Sequence, residues 1–462
     1  MSTFRGAFES FTDAHEWRPM QVEGEIPDHL HGTLYATGPS LFEAFGERYT
    51  HWFDGDGAVS AVRFADGNAW SAAKLLDTPA LAEERRAGKM LFAGYRRRGS
   101  RRLLFRSPLK RGKNTGNTSV LFEDGRLFAL WEGGRPIEVD PETLETLGPS
   151  SFEGAIRGSF SAHPHRVVAR RTTYGFGLRV GTRPYLDVYE SREGATRRLT
   201  SVPMWPVRMV HDFIATERHV VFFIPPVRIR IGRALFGVDG LTDYLRWEPE
   251  LGTEIVVIPI DEPDRVVRFR TEAFYQWHFV NAFERGDDIV VDVVRYPDFR
   301  TQDWLTAFSQ GHPLPEARSS LDRVVLTPKS ERFAVEPVWD HPCEFPNVVG
   351  SRAGSPHRFA FVAAHRDVEQ VREGPVDRIA KVDTESGLTT MVDFGSDTMV
   401  GEPYAVSQGE HEDDAFVLSH VYDATAHQTY LAILDGRSMD VRARCFFGGH
   451  LPPRLHADFV AG

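Results

Sequence analysis

Short apolar runs rich in Val, Ile, Phe and Tyr recur along the chain, and each is closed by Gly, Pro, Asp or Asn. Such runs are typical of β-strands separated by tight turns. Helical periodicity is sparse, and it is best developed in residues 79–90 and 231–246. The clearest strand-like runs are RLFALWEGG (126–134), HVVFFIPPV (219–227), EIVVIPI (254–260), DIVVDVVRY (288–296), RFAFVAAH (358–365), DAFVLSHVYD (414–423) and TYLAILDG (429–436).

Many short strands with few helices predict an all-β fold that is closed or radially repeated, with a protein of several stacked sheets as the main rival. Two polar turns, DPETLETLG (140–148) and VDTESGLTTM (382–391), resemble the turns between outer strands of propeller blades. No strict Trp-Asp or kelch repeat fixes the number of blades. Because no Pro/Ser-rich linker interrupts the chain, we predict one domain over residues 1–462.

Composition narrows the range of partners and compartments. The formal net charge is −11, which argues against a nucleic-acid backbone as the main partner. Two cysteines are too few for a secreted disulfide scaffold or a cysteine-based metal cluster, and they fit a reducing cytosol. The first residues contain no apolar signal-peptide core, and no run of about 18 apolar residues is present. We therefore expect a cytoplasmic protein.

Four of the 18 histidines stand out by their surroundings, and each has an apolar residue directly before it, which makes burial plausible. Taken singly, each is better interpreted as a hydrogen-bonded core histidine than as a metal ligand. Their separations of 48, 67 and 178 residues form no local metal motif. They can meet only if the fold brings strands from different sectors to one axis, as a propeller does. These histidines are His163, His211, His278 and His456.

Three other histidines compete with these four. His165 lies two residues after His163, and His450 lies six residues before His456, so spacing alone does not choose between them. His51 in HWFDGDG is a third candidate, but the DGDG that follows indicates a structural hairpin. The same turn interpretation is favoured over a calcium loop, because the full series of calcium ligands is missing.

About a dozen motifs in order give the chain a specific resemblance to a known family, the carotenoid cleavage oxygenases. That family also includes the retinal pigment epithelium isomerase and the bacterial stilbene-cleaving dioxygenases. No single motif is decisive, but their order spans nearly the whole chain. The motifs are GTLYATGP (32–39), HWFDGDG (51–57), GNTSV (116–120), LWEGG (130–134), SAHPH, VHDF, HFVNAFE, CEFP (343–346), GEPY (401–404), EDDAFVLSHVYD (412–423) and LPPRLHADF.

The resemblance implies a seven-bladed β-propeller with one ferrous ion, Fe(2+), on its axis beneath a cap of loops and short helices. It selects His163 over His165, and His456 over His450, and it makes the four histidines the iron ligands. It also implies three carboxylates that orient ligating imidazoles, which would fix their tautomer. In this scheme Glu132 orients His211, Glu344 orients His278, Glu402 orients His456, and His163 has no such partner.

The resemblance further implies that O2 cleaves a C=C double bond of an apolar polyene or aryl alkene into two carbonyl products. Thr118 in GNTSV would restrict the approach to one open iron position. Stilbene cleavers commonly carry a lysine at the position of Trp131, so an apolar residue there favours a carotenoid or apocarotenoid. No dinucleotide or phosphate-binding motif suggests an organic cofactor.

A peripheral membrane contact is a further expectation. Residues 224–246 set apolar side chains among arginines, a composition that suits a surface dipping into anionic headgroups. A partly buried cap segment with solvated arginines explains the same composition equally well. The apolar residues assigned to this patch are Ile231, Leu235, Phe236 and Leu241.

Three functions therefore remain open from the sequence. The leading hypothesis is an iron(II)-dependent carotenoid or apocarotenoid dioxygenase. The second is a stilbene or phenylpropanoid alkene-cleaving dioxygenase. The third is a non-catalytic propeller that binds a ligand or a partner protein.

Overall fold

The computed structural model describes residues 3–99, 112–230 and 239–462. Within them, antiparallel sheets form a seven-bladed β-propeller, which confirms the predicted fold class. In blade 1 the strand order is His15–Pro19, Asn68–Leu75, Asp56–Ala65, Gly32–Leu41 and His456–Ala461. Blade 2 contains Ser119–Glu123, Arg126–Leu130, Ile137–Val139 and Thr146–Pro149. Blade 3 contains His165–Val167, Thr172–Arg179, Tyr185–Arg192 and Ala195–Pro203.

The remaining four blades follow the same plan, with the first strand of each at one sheet edge. Blade 4 contains Ile214–Ala215, His219–Ile224, Thr253–Pro259 and Val267–Thr271. Blade 5 contains Phe279–Arg285, Asp288–Arg295, Ser320–Thr327 and Arg332–Trp339. Blade 6 contains Cys343–Asn347, Phe359–Ala364, Arg378–Asp383 and Thr389–Asp393. Blade 7 contains Thr398–Val400, Tyr404–Ser407, Ala415–Asp423, Gln428–Asp435, Val441–Phe446 and Gln21–Gly24.

Strands from both ends of the chain close the ring. In blade 1, Gly32–Leu41 pairs antiparallel with His456–Ala461. In blade 7, Gln21–Gly24 pairs with Val441–Phe446. Each of these blades therefore combines N-terminal and C-terminal segments, and sheet hydrogen bonds hold the ring shut.

Tight two-residue turns connect several neighbouring strands. Asp66 and Gly67 have φ of 47° and 70°, and Asp124 and Gly125 have φ of 50° and 77°. Two successive positive φ values define the hairpin turn whose twist matches that of the flanking strands. Asp-Gly is a favoured pair for this turn because glycine adopts positive φ without steric cost.

The hydrophobic core lies mainly between the faces of neighbouring blades. Tyr174 and Phe176 of blade 3, for example, join the cluster that contains Phe213, Phe222 and other residues of blade 4. Further clusters join blades 4 and 5, blades 6 and 7, and blades 7 and 1. Alternate residues of each strand thus pack against different neighbours, as expected for sheets buried on both faces.

Two α-helices occur in the described residues. Helix α1, Pro79–Ala87, begins at the Thr78 cap and ends at left-handed Gly88, so the predicted helix at 79–90 is confirmed but three residues shorter. Helix α2, Thr301–Gln310, was not predicted. The short 3-10 turns are Thr3–Phe8, Trp52–Asp54, Val168–Arg170, Leu241–Tyr244, Pro249–Leu251, Pro328–Ser330, Gly350–Arg352 and Glu369–Arg372.

The helix expected over residues 231–246 is wrong for its described part. Leu241–Tyr244 forms a 3-10 turn, and Leu245–Trp247 is a strand that pairs with Val227–Ile229. A second small hairpin joins Glu43–Ala44 to Glu47–Arg48. Strand pairing therefore overrides the weak helical periodicity of this segment.

Among the described residues, no helix has both the length and the apolar character needed to cross a membrane.

Candidate metal centre

The innermost strand of every blade contributes one residue of the site, at or near the strand's N-terminal end. Each blade is a separate sheet, and its innermost strand lies at the sheet edge that faces the propeller axis. Equivalent positions on seven strands therefore converge around the axis. In blade order from 2 to 7 and then 1, these residues are Thr118, His163, His211, His278, Glu344, Glu402 and His456.

The four selected histidines form one cluster. Nε2 of His211 lies 3.0 Å from Nε2 of His163 and 3.4 Å from Nε2 of His278. One ring nitrogen from each of these three residues lies within 4.8 Å of the other two, an arrangement that could hold a metal ion. The ring of His456 completes the cluster, with its centroid 4.6 Å from that of His163 and 4.8 Å from that of His278.

Three glutamates lie behind the cluster in the predicted pairing. Nδ1 of His211 is 2.8 Å from Glu132, Nδ1 of His278 is 2.6 Å from Glu344, and Nδ1 of His456 is 3.1 Å from Glu402. His163 has no carboxylate hydrogen-bonded to it among the residues that the structure describes. The four histidines and the three glutamates thus lie next to one another, and their roles as metal ligands and orienting groups stay a prediction.

The donor set fits a transition-metal ion. An imidazole that donates its Nδ1 proton to a carboxylate keeps a lone pair on Nε2 when it is neutral. In that tautomer the Nε2 atoms of His211 and His278, which are 3.4 Å apart, each offer a lone pair, and a shared cation would relieve the repulsion between them. Imidazole is a preferred ligand of zinc, copper, iron and nickel ions.

Two of the four rings are in the neutral form that metal ligation requires. Burial, together with the neighbouring imidazoles, lowers the pKa of His163 and of His278 well below the ordinary value. Both rings are therefore neutral at physiological pH, as metal ligands must be. Burial alone would lower the pKa of His211 as well, but the Glu132 carboxylate outweighs it and raises that pKa. A metal ion would replace the additional proton on this ring.

Glu344 is held from several directions. Its carboxylate accepts hydrogen bonds from the Tyr296 hydroxyl at 3.0 Å and from the Phe345 backbone N–H at 2.8 Å, besides the His278 ring. Burial raises the pKa of Glu344 to about 7, and a cation bound nearby would favour its charged form. No motif pointed to Tyr296, which lies 48 residues before Glu344.

An apolar cavity of about 130 Å³ opens on one side of the cluster. His211, His278 and His456 reach it, as do Thr118 and the other residues of its wall. Aromatic rings dominate that wall, a lining suited to a planar apolar ligand. They belong to Trp52, Phe53, Tyr95, Trp131, Trp277, Tyr296, Trp304 and Phe345.

Trp131 is held in the cavity wall by close backbone packing. A Cβ atom at Gly133 would lie 2.4 Å from Cη2 of the Trp131 ring, a distance that real Cβ contacts do not reach. Only glycine therefore lets the indole occupy this place. Thr118 lines the same cavity, and its hydroxyl donates a hydrogen bond to Asn117 at 3.3 Å.

A second cavity, of about 480 Å³, reaches the cluster from another side and is more polar. His163, His278 and His456 belong to its lining, together with Asp212 and Asp458. The imidazole cluster thus lies between an apolar cavity and a polar one. Burial raises the pKa of Asp458 to about 6.

The competing histidines lie outside the cluster. Nε2 of His165 is 2.8 Å from Asp212 instead. His450 stacks on His427 with ring centroids 4.7 Å apart. His51 caps the 3-10 turn Trp52–Asp54 by accepting the Phe53 N–H, so its role is structural, although the element is a 3-10 turn and not the expected hairpin.

The predicted membrane patch is only partly within the described residues. Ile231, Leu235 and Phe236 lie outside them. Leu241 is partly buried and packs against the hydrophobic cluster that contains Met209. The patch stays a prediction.

The chain is similar to known proteins over nearly its whole length. A family profile described as "RPE65: Retinal pigment epithelial membrane protein" matches residues 8–461. The Apocarotenoid-15,15'-oxygenase of Synechocystis sp. is 30% identical, over 95% of this chain and 92% of its own length. The Resveratrol cleavage oxygenase 1 of Aspergillus fumigatus is 28% identical, over 96% of this chain and 92% of its own. The crystal structure of cobalt-substituted Synechocystis ACO matches with a TM-score of 0.89 and 28% identity, over 100% of this chain and 99% of that one.

Fold and site together define a seven-bladed propeller built around a central group of histidines backed by carboxylates. Because the profile covers nearly the whole chain, the protein belongs to the RPE65 family of carotenoid cleavage oxygenases. It is an enzyme of that oxygenase family, as the order of sequence motifs predicted.

Proposed function

We propose that this protein is an iron(II)-dependent dioxygenase that cleaves one C=C double bond of an apocarotenoid or carotenoid into two carbonyl products. The observation that carries the proposal is the convergence of four imidazoles at the wall of an aromatic cavity, with three of them bonded to glutamates. Imidazoles alone suit several metals. Iron is favoured because the chain belongs to the carotenoid cleavage oxygenases, and the resemblance to that family implies iron as the metal.

The reaction balances without an organic cofactor. One O2 and one alkene give two carbonyl groups, so both oxygen atoms enter the products and no external reductant is consumed. A ferrous ion held by His163, His211, His278 and His456 would supply the activation of O2. The protein itself would hold that ion, position the double bond and exclude water.

The cavity wall supports an extended apolar substrate. Trp131, Trp277 and Phe345 would pack against the polyene, since conjugated chains and aromatic rings share flat apolar faces. The Thr118 methyl would narrow the approach to one side of the ion. Glu132, Glu344 and Glu402 would keep three of the four rings in the ligating tautomer.

Product analysis tests the proposal. Protein reconstituted with iron(II) is incubated under air with apocarotenals of several chain lengths, and products are identified by mass spectrometry while O2 uptake is recorded. We expect two carbonyl products and one O2 consumed for each alkene cleaved, and neither in metal-free protein. An iron-loaded protein that cleaves no polyene and no aryl alkene would support the non-catalytic propeller and overturn the proposal.

An aryl alkene is the second candidate substrate. It is favoured by the aromatic cavity wall and by the similarity to the Resveratrol cleavage oxygenase 1 of Aspergillus fumigatus and the Isoeugenol monooxygenase of Pseudomonas putida. Trp131 argues against it, because stilbene cleavers commonly place a lysine there to contact a phenol. Including a hydroxystilbene in the same assay separates the two, because each substrate class gives different aldehydes.

A peripheral membrane contact would serve an apolar substrate stored in lipid. Arg228 and Arg230 are exposed beside the segment to which the patch was assigned, and exposed arginines attract anionic headgroups. Sedimentation with vesicles that contain anionic lipid tests this separately from catalysis. Equal recovery of the protein with neutral, anionic and no vesicles would contradict it.

A further inference from the structure

The metal centre needs a fixed spacing between blades that sheet hydrogen bonding does not provide. His163, His211 and His278 precede the innermost strands of blades 3, 4 and 5, and these strands belong to three different sheets. A metal site requires its ligands within about 0.5 Å of the working geometry. Some other contact must therefore hold the three chain segments at a fixed distance from one another.

One buried carboxylate contacts all three segments. Oδ1 of Asp212 accepts a hydrogen bond from Nε2 of His165 at 2.8 Å, and Oδ2 accepts the Phe279 backbone N–H at 2.9 Å. Oδ1 also accepts the N–H of Phe213 at 2.8 Å. Asp212 itself is 2% exposed.

The groups that bond to Asp212 lie close along the chain to the clustered histidines. His165 lies two residues after His163, Phe279 directly follows His278, and Asp212 directly follows His211. The three segments that carry His163, His211 and His278 are thus all in contact with the same carboxylate, through His165, Asp212 itself and Phe279. A shift of one segment relative to another would break one of these buried hydrogen bonds and leave a buried polar group unsatisfied, which is unfavourable.

Asp212 differs from the three glutamates behind the cluster. Glu132, Glu344 and Glu402 each accept from the Nδ1 atom of one ring, and so they act on that ring's tautomer and orientation. Asp212 touches none of the four clustered rings through its carboxylate and binds the chain beside them. Its effect is on the distance between segments.

We propose that Asp212 is a positioning residue that sets the spacing of His163, His211 and His278 by joining blades 3, 4 and 5. The inference rests on the proposed function in one respect, that these histidines hold a metal ion. It assigns His165 a role as well, as the donor through which the first segment reaches Asp212.

Replacement of Asp212 by asparagine keeps the shape of the side chain but removes its negative charge and one of its two acceptor oxygens. A carboxylate accepts at both oxygens, whereas a carboxamide has one oxygen and one N–H2 donor group. Three N–H groups, from His165, Phe213 and Phe279, now approach the two oxygens. Whichever way the amide is turned, at least one of them faces a donor and loses its partner.

Cobalt(II) binding tests the inference without relying on turnover. The metal-free wild type, Asp212→Asn, His165→Phe and His165→Gln are titrated with cobalt(II), and the dissociation constant and the visible absorption bands are recorded. We expect Asp212→Asn and His165→Phe to weaken binding by about 10–100-fold, in the range typical of groups that support metal ligands, and to shift the bands. His165→Gln keeps an N–H donor near the position of Nε2 and should restore wild-type behaviour.

Glu284→Gln is the matched control. The Glu284 carboxylate also accepts from an imidazole, His219 Nδ1 at 3.2 Å, and from a backbone N–H, Arg218 at 2.9 Å, and it joins blades 4 and 5. It lies six residues beyond His278, which is about 20 Å along an extended strand. We expect it to leave the cobalt constant and spectrum unchanged.

The outcomes separate the two proposals. Wild-type protein that binds neither cobalt nor iron would overturn the proposed function and this inference together. The inference alone would be overturned if Asp212→Asn bound cobalt(II) as tightly as the wild type does. It would also be overturned if Glu284→Gln lost as much cobalt(II) affinity as Asp212→Asn. If Asp212→Asn does not fold by circular dichroism, the comparison of His165→Phe with His165→Gln decides, and identical spectra for these two would contradict the role of Asp212.

Discussion

A ligating imidazole must be neutral, and its free nitrogen must point at the ion and stay there. Different residues of this site provide each of these conditions. Burial and neighbouring rings keep His163 and His278 neutral. Carboxylates fix three of the rings from behind, while His163 lacks such a partner among the described residues. The four rings should therefore contribute unequally, since only three have their tautomer fixed by a carboxylate.

Replacing a clustered histidine should remove the metal. We expect His211→Ala to lose bound iron and to reduce alkene cleavage by more than the roughly 100-fold typical of supporting residues, because a ligand itself is missing. Metal analysis and product yield measure both effects. His450→Ala is the control, since that ring stacks on His427 away from the cluster. Full iron content in His211→Ala would contradict the assignment.

Substitutions of Glu344 and of Tyr296 should lower turnover to different degrees. Glu344→Gln removes the charge that the His278 Nδ1–H is bonded to, and we expect turnover to fall by about 10–100-fold. Tyr296→Phe removes one hydrogen bond to that carboxylate and should have a smaller effect of the same kind. Steady-state kinetics of the iron-loaded variants provide the measurement. An effect of Tyr296→Phe larger than that of Glu344→Gln would mean that Tyr296 acts independently.

The sequence alone left the choice among histidines open, and the reason is physical. His163 and His165 are both next to the axis, and only the direction of each side chain decides which one enters the cluster. The family motifs supplied that choice, and the structure places the rings accordingly. Tyr296 and Asp212 gave no separate signal, because their roles depend on contacts with residues 48 and 67 positions away.

At the scale of elements, hydrophobic pattern located the strands better than the helices. Runs such as 219–227 and 288–296 contain the strands His219–Ile224 and Asp288–Arg295. Helix α2 was missed because its apolar residues, Trp304, Leu305, Ala307 and Phe308, are too few to show a clear period within ten residues. Phe308 of this helix packs against Phe4 and Phe8 of the first 3-10 turn. A local sequence pattern does not contain such a contact between distant residues.

A buried ion pair within blade 5 should matter for stability. Asp292 accepts two hydrogen bonds from Arg323 of the adjacent strand, at 2.8 and 2.7 Å, and lies 3.0 Å from His357 Nε2. Asp292→Asn leaves the buried Arg323 charge without its counter-charge, and we expect the free energy of unfolding to fall by about 3–5 kcal/mol. Urea denaturation followed by circular dichroism measures the change.

An exposed pair in the same blade provides the control. Asp287 lies 2.9 Å from Lys329, and both side chains are largely exposed, so Asp287→Asn should leave the urea midpoint unchanged. Burial alone would raise the pKa of Asp292, but Arg323 and His357 outweigh it and lower that pKa. Its stabilising contribution is therefore present above the ordinary value of 3.8 and is lost as the pH falls below it. A difference between wild type and Asp292→Asn that grows under acid would contradict this reasoning.

At the scale of the whole molecule, ring closure and the site share one strand. His456 begins the strand His456–Ala461 that closes the ring against Gly32–Leu41. The other clustered histidines belong to blades 3, 4 and 5. A bound ion would therefore connect the closing blade to the opposite part of the ring.

The prediction of one domain over 1–462 stays a prediction, although segments from both ends of the chain complete blades 1 and 7.

Removal of the metal should then weaken the closed ring. An ion that binds only the folded protein adds about 2.7 kcal/mol of stability at a concentration 100-fold above its dissociation constant, so a chelator should lower Tm. Because His456 lies on the closing strand, hydrogen exchange in His456–Ala461 and Gly32–Leu41 should accelerate when the metal is removed. Calorimetry and exchange mass spectrometry with and without iron(II) measure both effects. His456→Ala should abolish the metal-dependent difference in these two strands, and His450→Ala should preserve it. Equal exchange in metal-free and iron-loaded wild type would show that sheet hydrogen bonds alone hold the ring closed.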